Sequence, residues 1–283
     1  MDPAGRWPRH GSYAAGMPLT LVCLGDSFTE GMSDELRPDG HHRGWADRTA
    51  EALARREAAR GGTVAYANLA VRGKLLDQVT AEQVPQVRGL SPDITTFHAG
   101  PNDVLRRGTD LDDLFRRYDV AVARVAASSG QVVLFTSIGR AGGTGRVAQL
   151  LADRFARFND NVRATAERRG ALVVDVGGAD ALTDRRLWHV DRLHLNPEGH
   201  ARVAAAVLET LGVDDPHLLG GPVGWWREPL PAAGPVARRD AVAADAVWVK
   251  DHLVPWVGRR LRGTSSGDGR AAKDAVPRVL GQD

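Results

Sequence analysis

A serine near the start of the chain lies in a turn that could present it for nucleophilic chemistry. Ser27 is the third residue of the segment GDSFTEG, residues 25–31. The flanking glycines allow backbone conformations that other residues resist, and they leave the hydroxyl without bulky neighbours. A free serine hydroxyl is a weak nucleophile and requires an adjacent base. Ser27 alone does not establish catalysis, since serines in glycine-rich turns commonly cap helices or form turns.

A candidate base for this serine lies late in the chain. Asp191 and His194 are three residues apart, so their side chains can lie on the same side of a loop or helical turn. The carboxylate could then hold one imidazole nitrogen and leave the other to face a nucleophile. Histidine exchanges a proton near neutral pH, because its ordinary pKa is about 6.5. Such a pair is also common among surface and capping residues, so further groups are needed to support this interpretation.

Alternating strands and helices would have to position these residues. Apolar runs predict strands at 19–24, 63–68, 94–98, 131–136 and 171–176. Amphipathic patterns predict helices at 45–59, 75–88, 111–128 and 148–169, and a final helix is expected over about 197–211. This alternation predicts an α/β protein, a three-layer α/β/α sandwich around a five-stranded parallel sheet.

The loops that follow parallel strands emerge at the same edge of the sheet, which is where such folds bind ligands. Ser27 follows the first predicted strand, Gly73 the second and Asn102 the third. Gly73 could offer a backbone N–H, and Asn102 could offer a side-chain amide. Two donors directed at one point can stabilise an oxyanion. The sequence therefore predicts that these three residues converge on a site suited to acyl transfer.

Four segments in series resemble the SGNH hydrolases, the GDSL-type esterase and lipase family. They are GDSFTEG at 25–31, NLAVRGK at 68–74, GPND at 100–103 and DRLH at 191–194. The resemblance covers about residues 18–212, and residue 28 is Phe where the short family name has Leu. It implies a flavodoxin-like fold and an enzyme that hydrolyses esters without a metal or an organic cofactor.

The resemblance also implies a role for each matched residue. Ser27 attacks the substrate carbonyl, His194 carries the proton to the leaving alcohol, and Asp191 orients the imidazole. The N–H groups of Ser27 and Gly73, with the Asn102 amide, stabilise the oxyanion. The expected partner is a small-molecule ester, which could be a simple carboxylic ester, an O-acetylated sugar, or a lipid or thioester. A non-catalytic module that binds a small molecule is the alternative class.

Other patterns in the sequence were weighed against this interpretation. His189, Asp191, His194 and His200 lie close together, but their spacing fits no compact metal motif, and no metal site is expected. The chain lacks the phosphate-binding patterns GxxxxGK[ST] and GxGxxG. Three arginines, Arg72, Arg106 and Arg107, could rim the pocket or remain solvated. The glycine-rich segment 139–145 could act as a lid.

Composition limits the remaining classes. A formal charge of +2 over 283 residues gives no reason to expect nucleic-acid binding. The single cysteine, Cys23, cannot form an intrachain disulfide, and no apolar run is long enough to span a membrane. Residues 1–16 lack the apolar core of a secretory signal, so a cytoplasmic enzyme is expected.

The expected organisation has four parts. A disordered extension at 1–17 precedes a hydrolase domain at 18–212. The C-terminal extension at 213–262 is expected to contain a helix over 238–260 that packs on the domain, and a disordered tail is expected at 263–283.

Overall fold

The computed structural model describes residues 17–139, 145–234, 238–255, 258, 262 and 264–281. The expected disorder at the N-terminus therefore falls, except for Met17, outside the described residues. The same holds for residues 140–144 of the glycine-rich segment that was considered as a lid.

A mostly parallel sheet forms the centre of the fold. Its strands are β1 (Leu19–Gly25), β2 (Val64–Asn68), β3 (Ile94–His98), β4 (Gln131–Phe135), β5 (Leu172–Val174) and β6 (Asp274–Leu280). The spatial order is β5-β4-β3-β1-β2-β6. The first five strands are parallel, which confirms the predicted α/β sheet, and β6 adds a sixth, antiparallel strand beside β2.

Helices connect the strands. Within the described residues they are α1 (Ser27–Glu30), α2 (Gly44–Ala58), α3 (Leu76–Glu82), α4 (Val84–Leu90), α5 (Pro101–Val104), α6 (Leu111–Ala126), α7 (Arg146–Arg169), α8 (Pro197–Thr210), α9 (Pro216–Leu219) and α10 (Arg238–Trp248). None of these helices is both long and apolar enough to cross a bilayer. The residues at the start of α8 determine where it begins. Asn196 caps the helix by accepting a hydrogen bond from Gly199 N at 3.0 Å, and Pro197 occupies the first turn.

The sheet separates two apolar cores, which gives the three predicted layers. Side chains of β1 alternate between them: Leu21 and Cys23 pack beneath α2 and α8, and Val22 and Leu24 pack beneath α3, α4, α6 and α7. Because alternate residues of a strand face opposite sides, an unbroken apolar run is what a strand covered on both faces requires. The carboxyl ends of β1, β2 and β3 consequently present their loops at one edge.

The C-terminal residues contain a strand that the sequence did not predict. Residues 263–283 were expected to be disordered, but residues 274–280 form β6 and pair with β2. A buried ion pair fixes this strand: Lys273 Nζ lies 2.5 Å from Asp47 Oδ2, and the two side chains are 1% and 0% exposed. The lysine also donates to the carbonyl oxygens of Glu30, His42 and Arg43. The sequence around Lys273 does not predict contacts with these distant residues.

Lys273→Met is expected to lower the free energy of unfolding by about 3–5 kcal/mol, because it removes one partner of a buried ion pair. It also leaves three carbonyl oxygens without their donor. Urea denaturation followed by circular dichroism measures the change. The control is Lys250→Met, since Lys250 is exposed and its replacement should cost less than about 0.5 kcal/mol. Equal stability losses in the two variants would contradict the role given to Lys273.

Candidate active site

The turn that carries Ser27 is built by the residues around it. Gly25 ends β1 with a φ of +153°, and a Cβ there would lie 2.6 Å from His98 O and from Thr29 Oγ1. Only glycine fits this close approach. Asp26 then caps α1 by accepting a hydrogen bond from Phe28 N at 3.1 Å. Ser27 is thus the first residue of α1, directly beyond the carboxyl end of the central strand.

A buried glutamine supports this turn from below. Gln83 accepts from Gly25 N at 2.8 Å and donates from Nε2 to Gly25 O at 2.9 Å. The helix predicted over 75–88 is broken here, because α3 ends at Glu82 and α4 begins at Val84. Sequence reasoning did not identify Gln83, although Pro85 inside the predicted helix was a signal for the break. The break turns the amide of Gln83 toward the strand that leads to Ser27.

The loop carrying Gly73 is tied to the nucleophile helix. Glu30, the last residue of α1, accepts hydrogen bonds from Arg72 N at 2.6 Å and from Arg72 Nε at 2.9 Å. Gly73 has a φ of +74°, and a Cβ there would lie 2.1 Å from Ser265 Oγ. Arg72 is therefore paired with Glu30, and of the two possibilities left open for it, rimming the pocket or being solvated, it does not line the cleft. Glu30 is a second residue that sequence reasoning missed.

Asn102 connects the three loops at this edge. Its Nδ2 donates to Asp26 Oδ2 at 3.0 Å and to Lys74 O at 3.1 Å. Turning the amide over would place its oxygen against two acceptors, so these contacts fix its orientation. Asp26 belongs to the turn of Ser27, and Lys74 belongs to the loop of Gly73. The predicted convergence of these loops is thus visible in the hydrogen bonds of Asn102.

The segment from Asp191 to His194 is a loop held by hydrogen bonds between its own residues. Nδ1 of His194 lies 2.8 Å from Asp191 Oδ2, while Asp191 Oδ1 accepts from the backbone N–H groups of Leu193 and His194 at 2.9 and 3.0 Å. Burial alone would raise the pKa of Asp191, but the hydrogen bond and charge of His194 and the two backbone donors lower it well below its usual value. Asp191 is therefore ionised at neutral pH.

Ser27, Asn102 and His194 line one cleft, which encloses about 770 Å³ including its open mouth. Asp191 lies behind His194, and Gly73 is outside this lining. The other side chains of the lining are mainly apolar: Phe28, Met32, Pro101, Leu105, Ile138, Phe155, Val176, Trp188, Leu193 and Leu195. Neither Arg106 nor Arg107 is among them.

Two further histidines border the cleft. His200 is buried: its Nδ1 accepts from Trp45 N at 3.2 Å, which leaves the proton on Nε2 to be donated to Met32 O at 3.0 Å. Burial lowers the pKa of His200 to about 4, so this ring is neutral and joins α8 to α2. His98 packs against Phe28, with ring centroids 4.4 Å apart. Among the described residues, no group of three or more His, Cys, Asp or Glu side chains could hold a metal ion.

Comparison with known proteins shows which family the chain matches. The model of the GDSL-like Lipase/Acylhydrolase family matches residues 23–202. LAE5, an alpha/beta hydrolase enzyme from the metagenome of Lake Arreo, Spain, is 28% identical with a TM-score of 0.56, over 70% of this chain and 96% of its own. A search of curated proteins gives no match.

Two more distant solved structures share the fold. Axe2, an acetylxylan esterase from Geobacillus stearothermophilus, is 20% identical with a TM-score of 0.54, over 70% of this chain and 96% of its own. TesA is 21% identical with a TM-score of 0.53, over 68% of this chain and 97% of its own. The family match spans more than half of the sequence. The chain therefore belongs to the GDSL-like lipase/acylhydrolase family and is an ester-hydrolysing enzyme.

Proposed function

We propose that the protein hydrolyses carboxylic esters through an acyl-enzyme intermediate on Ser27, with His194 as base and acid and Asp191 as its partner. The observation that carries this proposal is the 2.8 Å contact between His194 Nδ1 and Asp191 Oδ2, behind a cleft that His194 shares with Ser27. The ionised Asp191 accepts a hydrogen bond from the N–H at Nδ1, so the proton stays on Nδ1 and Nε2 keeps the lone pair that a general base requires.

The reaction then follows in two halves. Ser27 Oγ bonds to the substrate carbonyl carbon as its proton passes to His194 Nε2. The tetrahedral intermediate collapses, the ester C–O bond breaks, and His194 returns the proton to the leaving alcohol. In the second half water attacks the acyl group, with His194 again accepting a proton. The bond between the acyl carbon and Ser27 Oγ then breaks, and His194 gives its proton to Oγ. The carboxylic acid leaves and the Ser27 hydroxyl is restored.

The oxyanion that forms in each half requires hydrogen-bond donors. We assign this role to the N–H groups of Ser27 and Gly73 and to the amide of Asn102. Both N–H bonds of Asn102 are already engaged, with Asp26 and Lys74. Its participation therefore requires one of these bonds to turn toward the substrate or to be shared with it. One such donor contributes about 3–4 kcal/mol to lowering the barrier.

The lining of the cleft favours an ester with an apolar acyl or alcohol group. Among the described residues that line it, most side chains are aliphatic or aromatic and none is a lysine or an arginine. The lining also contains polar side chains, but Asp26, Thr136 and His200 are hydrogen-bonded within the protein. Apart from the groups assigned to the reaction, this leaves His98 and Ser137 among the described lining residues to satisfy the hydroxyls of a sugar. We therefore favour a simple carboxylic ester over an O-acetylated sugar.

A panel of p-nitrophenyl esters, an acetylated xylose and an acyl thioester tests this proposal. We expect kcat/KM to rise about threefold to fourfold for each methylene added to a short acyl chain, since burying one contributes about 0.8 kcal/mol. The rise should stop when the cleft is filled. Acetylated xylose should be hydrolysed more slowly than the best simple ester. Faster turnover of the sugar would contradict the substrate class, and failure of a fluorophosphonate to label the protein would contradict the serine mechanism.

A further inference from the structure

A contact from the C-terminal extension reaches the loop that holds the acid–base pair. Trp248, at the end of α10, donates from its indole Nε1 to the main-chain oxygen of Asp191 at 2.8 Å. This helix follows the region 23–202 that the family match covers. The contact joins a segment outside the family match to Asp191, the carboxylate partner of His194.

The backbone at this point is strained. Arg192 has a φ of +58°, the left-handed region that side-chain-bearing residues rarely occupy, and this costs roughly 1–2 kcal/mol. The peptide between Asp191 and Arg192 is held at both ends, because its carbonyl accepts from Trp248 and its N–H donates to His189 O at 2.9 Å. Surrounding contacts must hold a strained residue in place, and Trp248 supplies one of them.

The side chain of Arg192 adds to this contact. Its guanidinium lies over the indole of Trp248, 4.7 Å from the ring centroid, and it pairs with Asp245 Oδ1 at 2.5 Å. Asp245 is 63% exposed, so this ion pair adds little to stability. The indole thus links α10 to the loop through one hydrogen bond and one stacked cation.

The rest of α10 differs from the sequence expectation. The helix expected over 238–260 was expected to pack on the domain, but Ala246 within α10 and Val249 directly after it are both exposed. Among the described side chains of α10, Trp248 alone is half-buried. Through the contact of Trp248, α10 can influence the loop that carries Asp191.

We propose that Trp248 is a positioning residue for the acid–base loop: it holds the Asp191–Arg192 peptide so that Asp191 keeps His194 aligned with Ser27. The proposal rests on the function proposed above, in which Asp191 and His194 activate Ser27. It implies that the C-terminal extension contributes to the turnover rate of this enzyme.

Trp248→Phe keeps an aromatic ring and removes the hydrogen bond. We expect kcat to fall about tenfold, since small misplacement of catalytic groups is costly, while KM changes less than about twofold because Trp248 does not line the cleft. The rate of fluorophosphonate labelling of Ser27 should fall in parallel, because it reports activation of the hydroxyl independently of ester turnover. The melting temperature should not change.

The chain offers a matched control. Trp225 donates from Nε1 to Leu219 O at 2.9 Å and lies under the guanidinium of Arg202, at 5.2 Å from the ring centroid. Trp225→Phe thus removes an equivalent bond away from the acid–base loop and should leave kcat unchanged. Equal kcat values in wild type and Trp248→Phe, or equal losses in the two variants, would overturn the proposal. Wild-type protein without esterase activity or labelling would instead overturn the proposed function.

Discussion

Ser27→Ala is expected to abolish nearly all ester hydrolysis, with kcat reduced by roughly 10⁴-fold or more. The variant has no oxygen that can bond to the substrate carbonyl, so the acyl-enzyme cannot form. The fold should remain, because the cap of α1 uses the carboxylate of Asp26 rather than the serine hydroxyl. Steady-state kinetics with a p-nitrophenyl ester measures the loss, and mass spectrometry detects the fluorophosphonate adduct in wild type alone.

A second serine in the same cleft provides the control. Ser137 lines the cleft, and its backbone N–H donates to Asn159 Oδ1 at 2.7 Å. Its hydroxyl is buried and has no hydrogen-bond partner in the structure. Among the described residues no base is hydrogen-bonded to it, so Ser137→Ala should keep kcat within about tenfold of wild type. A larger loss for Ser137→Ala than for Ser27→Ala would show that the nucleophile has been wrongly assigned.

The sequence predicted those parts of the molecule that depend on local pattern and on parallel topology. The strands 19–24, 94–98 and 131–136 were placed within one residue of β1, β3 and β4. Since parallel strands end at one edge of the sheet, the strand pattern also predicts that the loops of Ser27, Gly73 and Asn102 lie together. The roles of these residues in the reaction remain predictions.

The missed features all depend on contacts between residues far apart in the chain. Lys273 is one of three lysines in the sequence, and nothing near it indicates that its amine lies against Asp47. Gln83 lies between α3 and α4, and Glu30 ends α1. Polar residues at such positions are commonly exposed, yet both side chains are buried and accept hydrogen bonds from backbone groups far away in the sequence. The contact of Trp248 with Asp191 could not be predicted, because the two residues are 57 positions apart and no local pattern relates them.

His194→Ala is expected to reduce kcat by roughly 10³-fold to 10⁵-fold with little change in KM, since one imidazole serves as base and acid in both halves of the reaction. The loss should appear equally in kcat/KM, because the missing interaction matters only in the transition state. Steady-state kinetics on the best p-nitrophenyl ester measures it. Added imidazole should restore part of the activity by entering the space left by the side chain.

The cleft contains a second candidate base, and geometry distinguishes the two. His98 Nδ1 lies 3.5 Å from Asp26 Oδ1, too far for a hydrogen bond, and that carboxylate already accepts from Phe28 N and Asn102 Nδ2. His194 instead has an aligned carboxylate at 2.8 Å. His98→Asn should therefore lower kcat by less than about tenfold, as expected for a residue that shapes the cleft without carrying the proton. If His98→Asn were the more damaging substitution, the base would be His98, and Asp26 would replace Asp191 as the group that orients it.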